Sequence, residues 1–359
     1  RRGPHADTRP MFMQVNTMDR GGGAEQFAAV LHDAAAKRGG RSTFAVGRKF
    51  SDHPGVVELS RSLWWRVWSG VAKRFAHHDR ARVVAKAFAE PMRVVNYLRG
   101  VEDFHFPCSH RLLELIRPGP DLVHLHNLHG GYFDLRFLPR LSQSLPTVLT
   151  LHDAWLLAGH CAHSLDCDRW QTGCGQCPYL DLPMRVRRDR TATNWSIKRD
   201  IYQRCRLHVA TPSRWLMDKV KRSILADGVI ESRMIPNGVD TCVFHPGDRA
   251  TARQKLGLPM DCQVLLFVGH GAQTNPWKDL PTILASLKAL GTRRTGAKPP
   301  LTFLILGDSK PLKPIPGIQL RTIPQADDAQ LVADYYRAAD VYVHASRADT
   351  APLSVLEAM

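Results

Sequence analysis

Short apolar runs recur along this chain, each followed by glycine, histidine or acidic residues and then by a stretch with helical spacing. Candidate strands read at 11–16, 42–46, 121–126, 147–151, 207–211, 233–236, 263–268, 301–306, 318–323 and 341–344, with helices at 24–36, 279–290, 328–339 and from 353 onward. Apolar runs this short fit strands buried on both faces, and their alternation with helices predicts an α/β chain built from open, doubly wound parallel sheets. Such sheets take their ligands beyond the carboxyl ends of the strands, so the residues just after each run are the candidate site. At 359 residues the chain has room for two domains, each with its own core. The turn Ile235-Pro236-Asn237-Gly238-Val239-Asp240 divides them, predicting an N-terminal domain over 11–240 and a C-terminal one over 241–359.

Five of these strand ends carry chemistry. After 341–345 comes Ala348-Asp349-Thr350-Ala351-Pro352-Leu353-Ser354-Val355-Leu356-Glu357-Ala358-Met359, a strand-to-helix turn flanked by two carboxylates. Free N–H groups at a helix start attract a phosphate, and carboxylates accept hydrogen bonds from sugar hydroxyls. After 263–268, Lys278 stands at a helix start, where a cation is disfavoured unless an anion joins it. After 11–16 lies Asp19-Arg20-Gly21-Gly22-Gly23-Ala24-Glu25, a glycine turn that lets backbone approach a ligand, without the G-x-G-x-x-G dinucleotide pattern. The histidine-rich ends His124-Leu125-His126-Asn127-Leu128-His129-Gly130-Gly131 and Leu151-His152-Asp153-Ala154-Trp155 fall at equivalent places.

The spacing from Asp349 to Glu357 resembles the E-x7-E signature of the retaining glycosyltransferases of family 4, with Asp where Glu is commoner. The glycine turn, the two histidine stretches, Thr211-Pro212-Ser213-Arg214-Trp215-Leu216, and Ile235 to Asp240 followed by Phe244-His245-Pro246 resemble the branch of that family that builds exopolysaccharide, colanic-acid and capsule units. The resemblance runs from about residue 11 to the end and implies a GT-B fold, two Rossmann-like domains facing a cleft. It implies a hexosyltransferase that moves a sugar from a nucleoside-diphosphate sugar to a glycan or lipid-linked acceptor. Asp349 and His152 would be the catalytic residues, approaching the sugar from the two domains. Lys278, Leu353, Ser354 and Glu357 would bind the donor's phosphates and ribose, together with Gly22 and Gly23, whose turn also shapes the acceptor side. His126, Asn127 and His129 would line the acceptor side. The Arg that accompanies the Lys in the family pattern is absent, leaving His270 or Asn275 to replace it. With Lys278 and a helix start in place to meet the diphosphate, no catalytic metal is expected.

Four cysteines crowd into 161–177, in the spacing Cys161-x5-Cys167-x6-Cys174-x2-Cys177, beside His160 and His163. A C-x-x-C hairpin with two further thiols can close a tetrahedral zinc site, although the first interval is wider than in common zinc modules. Cys108, Cys205, Cys242 and Cys262 are scattered and read as buried thiols. From Arg61 to Arg99 there are nine Lys or Arg against two acidic residues, with Trp64, Trp65 and Trp68 near the start. That composition suits an amphipathic helix on an anionic membrane surface, and equally a helix whose tryptophans pack into the N-terminal core. No stretch approaches the about 18 apolar residues of a span, and eight cysteines are too few for a disulfide scaffold. These features predict a cytoplasmic protein, peripheral on the inner membrane face. The chain starts without an initiator Met and stops within a helix start, which reads as a piece of a longer reading frame with its second domain incomplete. The formal charge of +16 favours an anionic partner. Two further readings stay open: a GT-B-like nucleotide-sugar epimerase or hydrolase, and a basic zinc-containing nucleic-acid-binding protein, for which Arg185, Arg187, Arg188 and Arg190 behind the cysteines would count. The glycosyltransferase reading expects no nucleic acid.

Overall fold

The computed structural model describes residues 9–59, 67, 91–102, 104–115, 119–294 and 299–359. Trp64, Trp65 and Trp68, with nearly all of the basic segment before Pro91, lie outside them. The chain divides into two compact units, Arg1–Pro236 and Asn237–Met359.

In the first unit β1 (Met11–Met18) leads through α1 (Gly23–Lys37) to β2 (Arg41–Arg48) and β3 (Val56–Glu58). α2 (Pro91–Arg99) precedes β4 (Leu122–Leu125), and α3 (Leu138–Ser144) joins it to β5 (Thr147–Thr150). Then come α4 (Thr191–Tyr202), β6 (Leu207–Thr211), α5 (Arg214–Lys221) and β7 (Val229–Met234). The strands form one parallel sheet in the order β3-β2-β1-β4-β5-β6-β7. Inward residues such as Met13, Val15, Val123, Leu125, Leu149 and Leu207 are fully buried, each contributing about 2 kcal/mol of apolar transfer. Start signals act where the sequence places them: Ser213 caps α5 by accepting from the Leu216 N–H, just after Pro212.

The second unit runs α6 (Arg249–Lys255), β8 (Gln263–Val268), α7 (Leu280–Arg293), β9 (Leu301–Leu306) and β10 (Gln319–Ile323). It continues with α8 (Ala329–Ala338), β11 (Val341–Tyr342) and α9 (Leu353–Ala358). Its sheet, also parallel, has the order β10-β9-β8-β11. The buried Arg253 guanidinium pins the start of β8, donating to Asp340 Oδ2 at 2.7 Å and to the carbonyls of Ala338 and Cys262. The same Asp340 oxygen accepts the Val264 N–H.

Both sheets reverse direction once. In the first, β2 lies on one side of β1 and β4 on the other; in the second, β9 and β11 flank β8 in the same way. At such a switch point the loops leave in opposite directions and open a crevice at the carboxyl ends of the two strands.

Several expectations are corrected. The run 341–345 is no buried strand: only Val341 and Tyr342 pair with β8, and Val341 is 52% exposed. Its ladder among the described residues is one-sided, so it has an edge strand's exposure. The strand expected at 233–236 lies upstream at β7, whose Glu231, Ser232 and Arg233 hide it from a hydrophobicity reading, as charges on edge strands do. The short edge strand β3 was not anticipated. Cys242 is exposed and Cys108 half-buried rather than core thiols.

Candidate functional site

In the second unit, β8 ends at Val268 and the chain turns through Gly269-His270-Gly271, where Gly271 takes a positive φ of 58°. Gly307, at the end of β9, has φ 105°, and a Cβ there would come within 2.6 Å of the Gly269 carbonyl oxygen. Any larger residue at Gly307 therefore pushes the two turns apart. Asn275 accepts the Trp277 N–H, capping a 3-10 turn over Pro276–Lys278, so its side-chain oxygen is engaged in local structure. His270 is bonded to Gln325.

Lys278 closes that turn, and the chain passes through Asp279 in the left-handed region (φ 39°) before α7 begins. The aliphatic stem of Lys278 lies against Gly269, and its ammonium donates to Asp349 Oδ2 at 2.9 Å. The loop after β11 is stitched to the same turn, since the Arg347 N–H and the Ser346 hydroxyl both donate to the Trp277 carbonyl, at 2.9 and 2.8 Å. Lys278 and Asp349, seventy-one residues apart, thus meet at the β8/β11 switch point. The Asn237 side-chain amide donates to the Ala351 carbonyl, tying the Pro-Asn-Gly turn to this loop.

Leu353, Ser354 and Glu357 lie on α9. Tyr336 of α8 donates to Glu357 Oε2 at 3.0 Å, and Tyr342 donates to the Ser354 hydroxyl at 2.9 Å. Burial raises the Glu357 carboxyl, and the Tyr336 hydroxyl works against that shift. Sequence reasoning missed both tyrosines; the only hint was a Tyr in the run 341–345.

In the first unit the histidines converge. His126 Nε2 lies 2.8 Å from Gln14 Oε1, and its Nδ1 lies 3.1 Å from His152 Nε2. Because the Gln14 oxygen can only accept, His126 donates from Nε2 and accepts at Nδ1; His152 then carries its proton on Nε2 and offers Nδ1 as an acceptor. His124 bonds Thr150 Oγ1 at 2.7 Å. Burial holds His124 and His152 down to about 4, and drives His126 well below its ordinary value.

His129 behaves oppositely. Burial pushes it down, but Asp153, whose Oδ2 is 2.8 Å from Nε2, outweighs burial and raises it. Asp153 itself is lowered, because His129 and the Trp155 N–H outweigh its burial. Glu25 folds back over Gly21 and Gly22 from the first turn of α1, buried and raised in pKa, with His129 and Asp153 as electrostatic neighbours. Gly22 caps α1 and Gly23 is its first residue. Asn127 contributes its carbonyl, which accepts from the Tyr132 hydroxyl at 2.6 Å. Behind Trp155, the fully buried Lys198 pairs with Glu102 at 2.7 Å and donates to the carbonyls of Trp155 and Ala158. The Trp155 indole donates to Glu102 at 2.6 Å.

A cavity of about 280 Å³ opens on this cluster, lined by His129, Trp155, Tyr97, Phe104, Arg93 and Arg185 among others. Cys161, Cys167, Cys174 and Cys177 surround a separate small void of about 20 Å³.

The histidines give a pH prediction. His124 and His152 have folded pKa values depressed below the unfolded value of about 6.5, so the unfolded chain binds more protons between those limits. Stability is full above pH of about 6.5 and falls toward pH of about 4, by an order of 3 kcal/mol per histidine. The raised His129 runs the other way, adding stability at low pH that is lost as pH rises through its folded pKa. Urea melts should show a lower midpoint at pH 5 than at pH 7.5; equal midpoints would mean these histidines titrate normally.

The sequence model of Glycosyltransferase Family 4 matches residues 21–242. Among similar curated proteins, a putative colanic acid biosynthesis glycosyl transferase WcaC of Escherichia coli is 29% identical over 170 residues, covering 44% of this chain and 41% of that protein. A D-inositol 3-phosphate glycosyltransferase of Catenulispora acidiphila is 36% identical over 135 residues, 34% of this chain and 31% of its own length. The matched stretches thus span less than half of either relative. In fold, the chain is similar to a sucrose-phosphate synthase from Thermosynechococcus elongatus, with TM-score 0.58 and 17% identity over 98% of this chain and 79% of that one. It is also similar to WaaG, a glycosyltransferase involved in lipopolysaccharide biosynthesis, with TM-score 0.55 and 14% identity over 97% and 78%. With two doubly wound parallel sheets of the GT-B type and a family match over more than half its length, the chain belongs to glycosyltransferase family 4.

Proposed function

We propose that the protein is a retaining glycosyltransferase that takes a sugar from a nucleoside-diphosphate sugar. The observation that carries this reading is the meeting of Lys278 and Asp349 at the β8/β11 switch point, with Glu357 on the helix that follows. A diphosphate entering there takes the Lys278 ammonium as its counter-charge, freeing Asp349 for the transferred sugar. Glu357 accepts the ribose hydroxyls, and the N–H groups of Leu353 and Ser354 face the distal phosphate. The bond from the anomeric carbon to the phosphate oxygen breaks, the acceptor oxygen bonds to that carbon on the same face, and the leaving phosphate takes the acceptor proton. His152, with Nδ1 as acceptor, orients a sugar hydroxyl.

The acceptor reading rests on the cavity beside Trp155. Its aromatic walls suit sugar rings, and Arg93 and Arg185 suit a phosphate or another anion, as in a glycan or lipid-linked acceptor for surface polysaccharide. α2 exposes Met92, Tyr97 and Leu98 beside Arg93 and Arg99, a composition that fits a peripheral position on an anionic membrane. Among the described residues no helix is long and apolar enough to cross a membrane. Replacing Leu98 by Glu should weaken binding to phosphatidylglycerol vesicles about tenfold, as sedimentation would read, since one inserted leucine contributes about 1.5–3 kcal/mol. Unchanged sedimentation would remove α2 from the membrane contact.

A panel of nucleotide sugars tests the donor reading by thermal shift. At a hundredfold excess over Kd, a ligand adds about 2.7 kcal/mol, or about 5–10 °C in Tm. One nucleotide family should shift the protein and lose its effect in Glu357→Ala. No shift with any donor or nucleoside diphosphate would contradict the assignment.

A further inference from the structure

The loop between Trp155 and α4 is held to the candidate site from behind. The Ala154 N–H donates to the Ala162 carbonyl at 2.8 Å, and Lys198 bonds the Ala158 carbonyl, so the backbone around Cys161 buttresses Asp153 and Trp155 directly. Four cysteines converge within this loop on the small void, whose volume of about 20 Å³ is that of one water or ion.

The backbone around them is shaped for sulfur. Gly173, Cys174, Gly175 and Gln176 all take positive φ, at 146°, 54°, 88° and 45°. Left-handed backbone at Cys174 and Gln176, which carry side chains, costs about 1–2 kcal/mol each and persists only where something holds it. The result is a tight knuckle carrying Cys174, and N–H groups on either side of it meet sulfur. Gly159 N–H points at Cys174 Sγ at 3.3 Å, and Tyr179 N–H at Cys177 Sγ at 3.4 Å. His160 Nε2 lies 3.3 Å from Cys177 Sγ.

A second, independent observation is a cation. Lys219 is 7% exposed, its ammonium bonded to Ser164 Oγ at 2.9 Å and 4.3 Å from the centre of the Trp170 ring. Among the described residues it has no carboxylate in ion-pair contact; Asp168 is its foremost charged neighbour, with Arg222, Cys161 and Cys167 behind it. A buried ammonium without a carboxylate is costly unless negative charge lies near it. Asp168 supplies one such charge at a distance beyond ion-pair contact and four neutral thiols add none, whereas a tetrathiolate around a divalent metal carries two negative charges.

We propose that Cys161, Cys167, Cys174 and Cys177 close a structural zinc site that braces the loop carrying Asp153 and Trp155. No three of the four sulfurs lie within 4.8 Å of one another, whereas zinc–sulfur bonds of about 2.3 Å set them about 3.8 Å apart. Binding therefore draws the sulfurs inward onto the void and fills it. This site goes beyond the donor and acceptor reading and stands or falls separately from it.

Elemental analysis of the untagged chain tests this. One zinc per chain is expected, with the Cys174→Ser/Cys177→Ser variant holding less than a tenth of that and Cys205→Ser holding all of it. Cobalt substitution should give the intense visible absorption of tetrahedral thiolate coordination. Among the described residues, the ligand atoms of His32, Asp33 and His53, unlike the four sulfurs, do lie within 4.8 Å of one another, so His53→Ala serves as the second control and should keep its zinc. Zinc lost with His53→Ala instead, a metal-free wild-type chain whose thiols react freely, or disulfides among these cysteines would each overturn the proposal. Should the double variant fail to fold, the wild-type metal content and the cobalt spectrum still decide.

Discussion

Replacing Lys278 by alanine is expected to lower kcat about a hundredfold with a smaller change in KM. In the proposed reaction negative charge grows on the leaving diphosphate, and a fixed cation stabilises that charge more in the transition state than in the bound donor. Lys278 is held for this by three constraints: the capped turn over Pro276–Lys278, the Gly269 surface along its stem, and the Asp349 carboxylate. Glu357→Ala should act differently, raising KM for the donor with kcat nearly unchanged, because a ribose hydrogen bond is made equally in ground and transition states. Steady-state kinetics on both variants reads the split. Wild-type kcat and KM in both would remove the donor site from the second unit's switch point.

The largest stability effect is expected at Lys198. Its ammonium is fully buried, forms an ion pair with Glu102 and donates to two carbonyls, while lying 3.8 Å over the Trp155 ring. Lys198→Met leaves the Glu102 carboxylate buried with, among the described residues, only the Trp155 indole donating to it, and breaking a buried pair from one side costs about 3–5 kcal/mol. Melting should fall by about 10 °C on the scale of 2–4 °C per kcal/mol for a unit of this size. Burial already drives the Glu102 carboxyl upward against the pull of Lys198, so part of the loss is recovered by its protonation in the variant. The double variant Glu102→Leu/Lys198→Met should recover more than half of the loss, since no charge is then left buried. A double variant as unstable as Lys198→Met would mean that the lysine acts through its packing on Trp155 rather than through its charge.

Much of the fold was legible because both units are built from strands buried on two faces. Runs such as 263–268 and 301–306 coincide with β8 and β9, whose apolar side chains leave nothing else for those segments to do. Legibility failed at edges. β7 carries Glu231 and Arg233 and β3 has three residues, so neither shows an apolar run, and β11 pairs for two residues only. At the candidate site the sequence points to residues that sit on strand ends, such as His126, His152 and Lys278, because their place follows from the strand that precedes them. It does not reveal partners brought from afar. Gln14 is 112 residues from His126, Glu102 is 96 residues from Lys198, and Tyr336 reaches Glu357 from the preceding helix. Nothing local marks such residues, since their role is defined by packing across the sheet.

The central claim is that sugar leaves a nucleoside diphosphate at Lys278 and Asp349 and reaches an acceptor with its configuration kept. Proton NMR of the product, formed from an α-configured nucleotide sugar and an accepting glycan, tests it most directly. The account predicts an α-linked product, released with one nucleoside diphosphate per linkage and abolished together with that release in Asp349→Ala/Lys278→Ala. A β-linked product, or free or epimerised sugar in place of a glycoside, would contradict it.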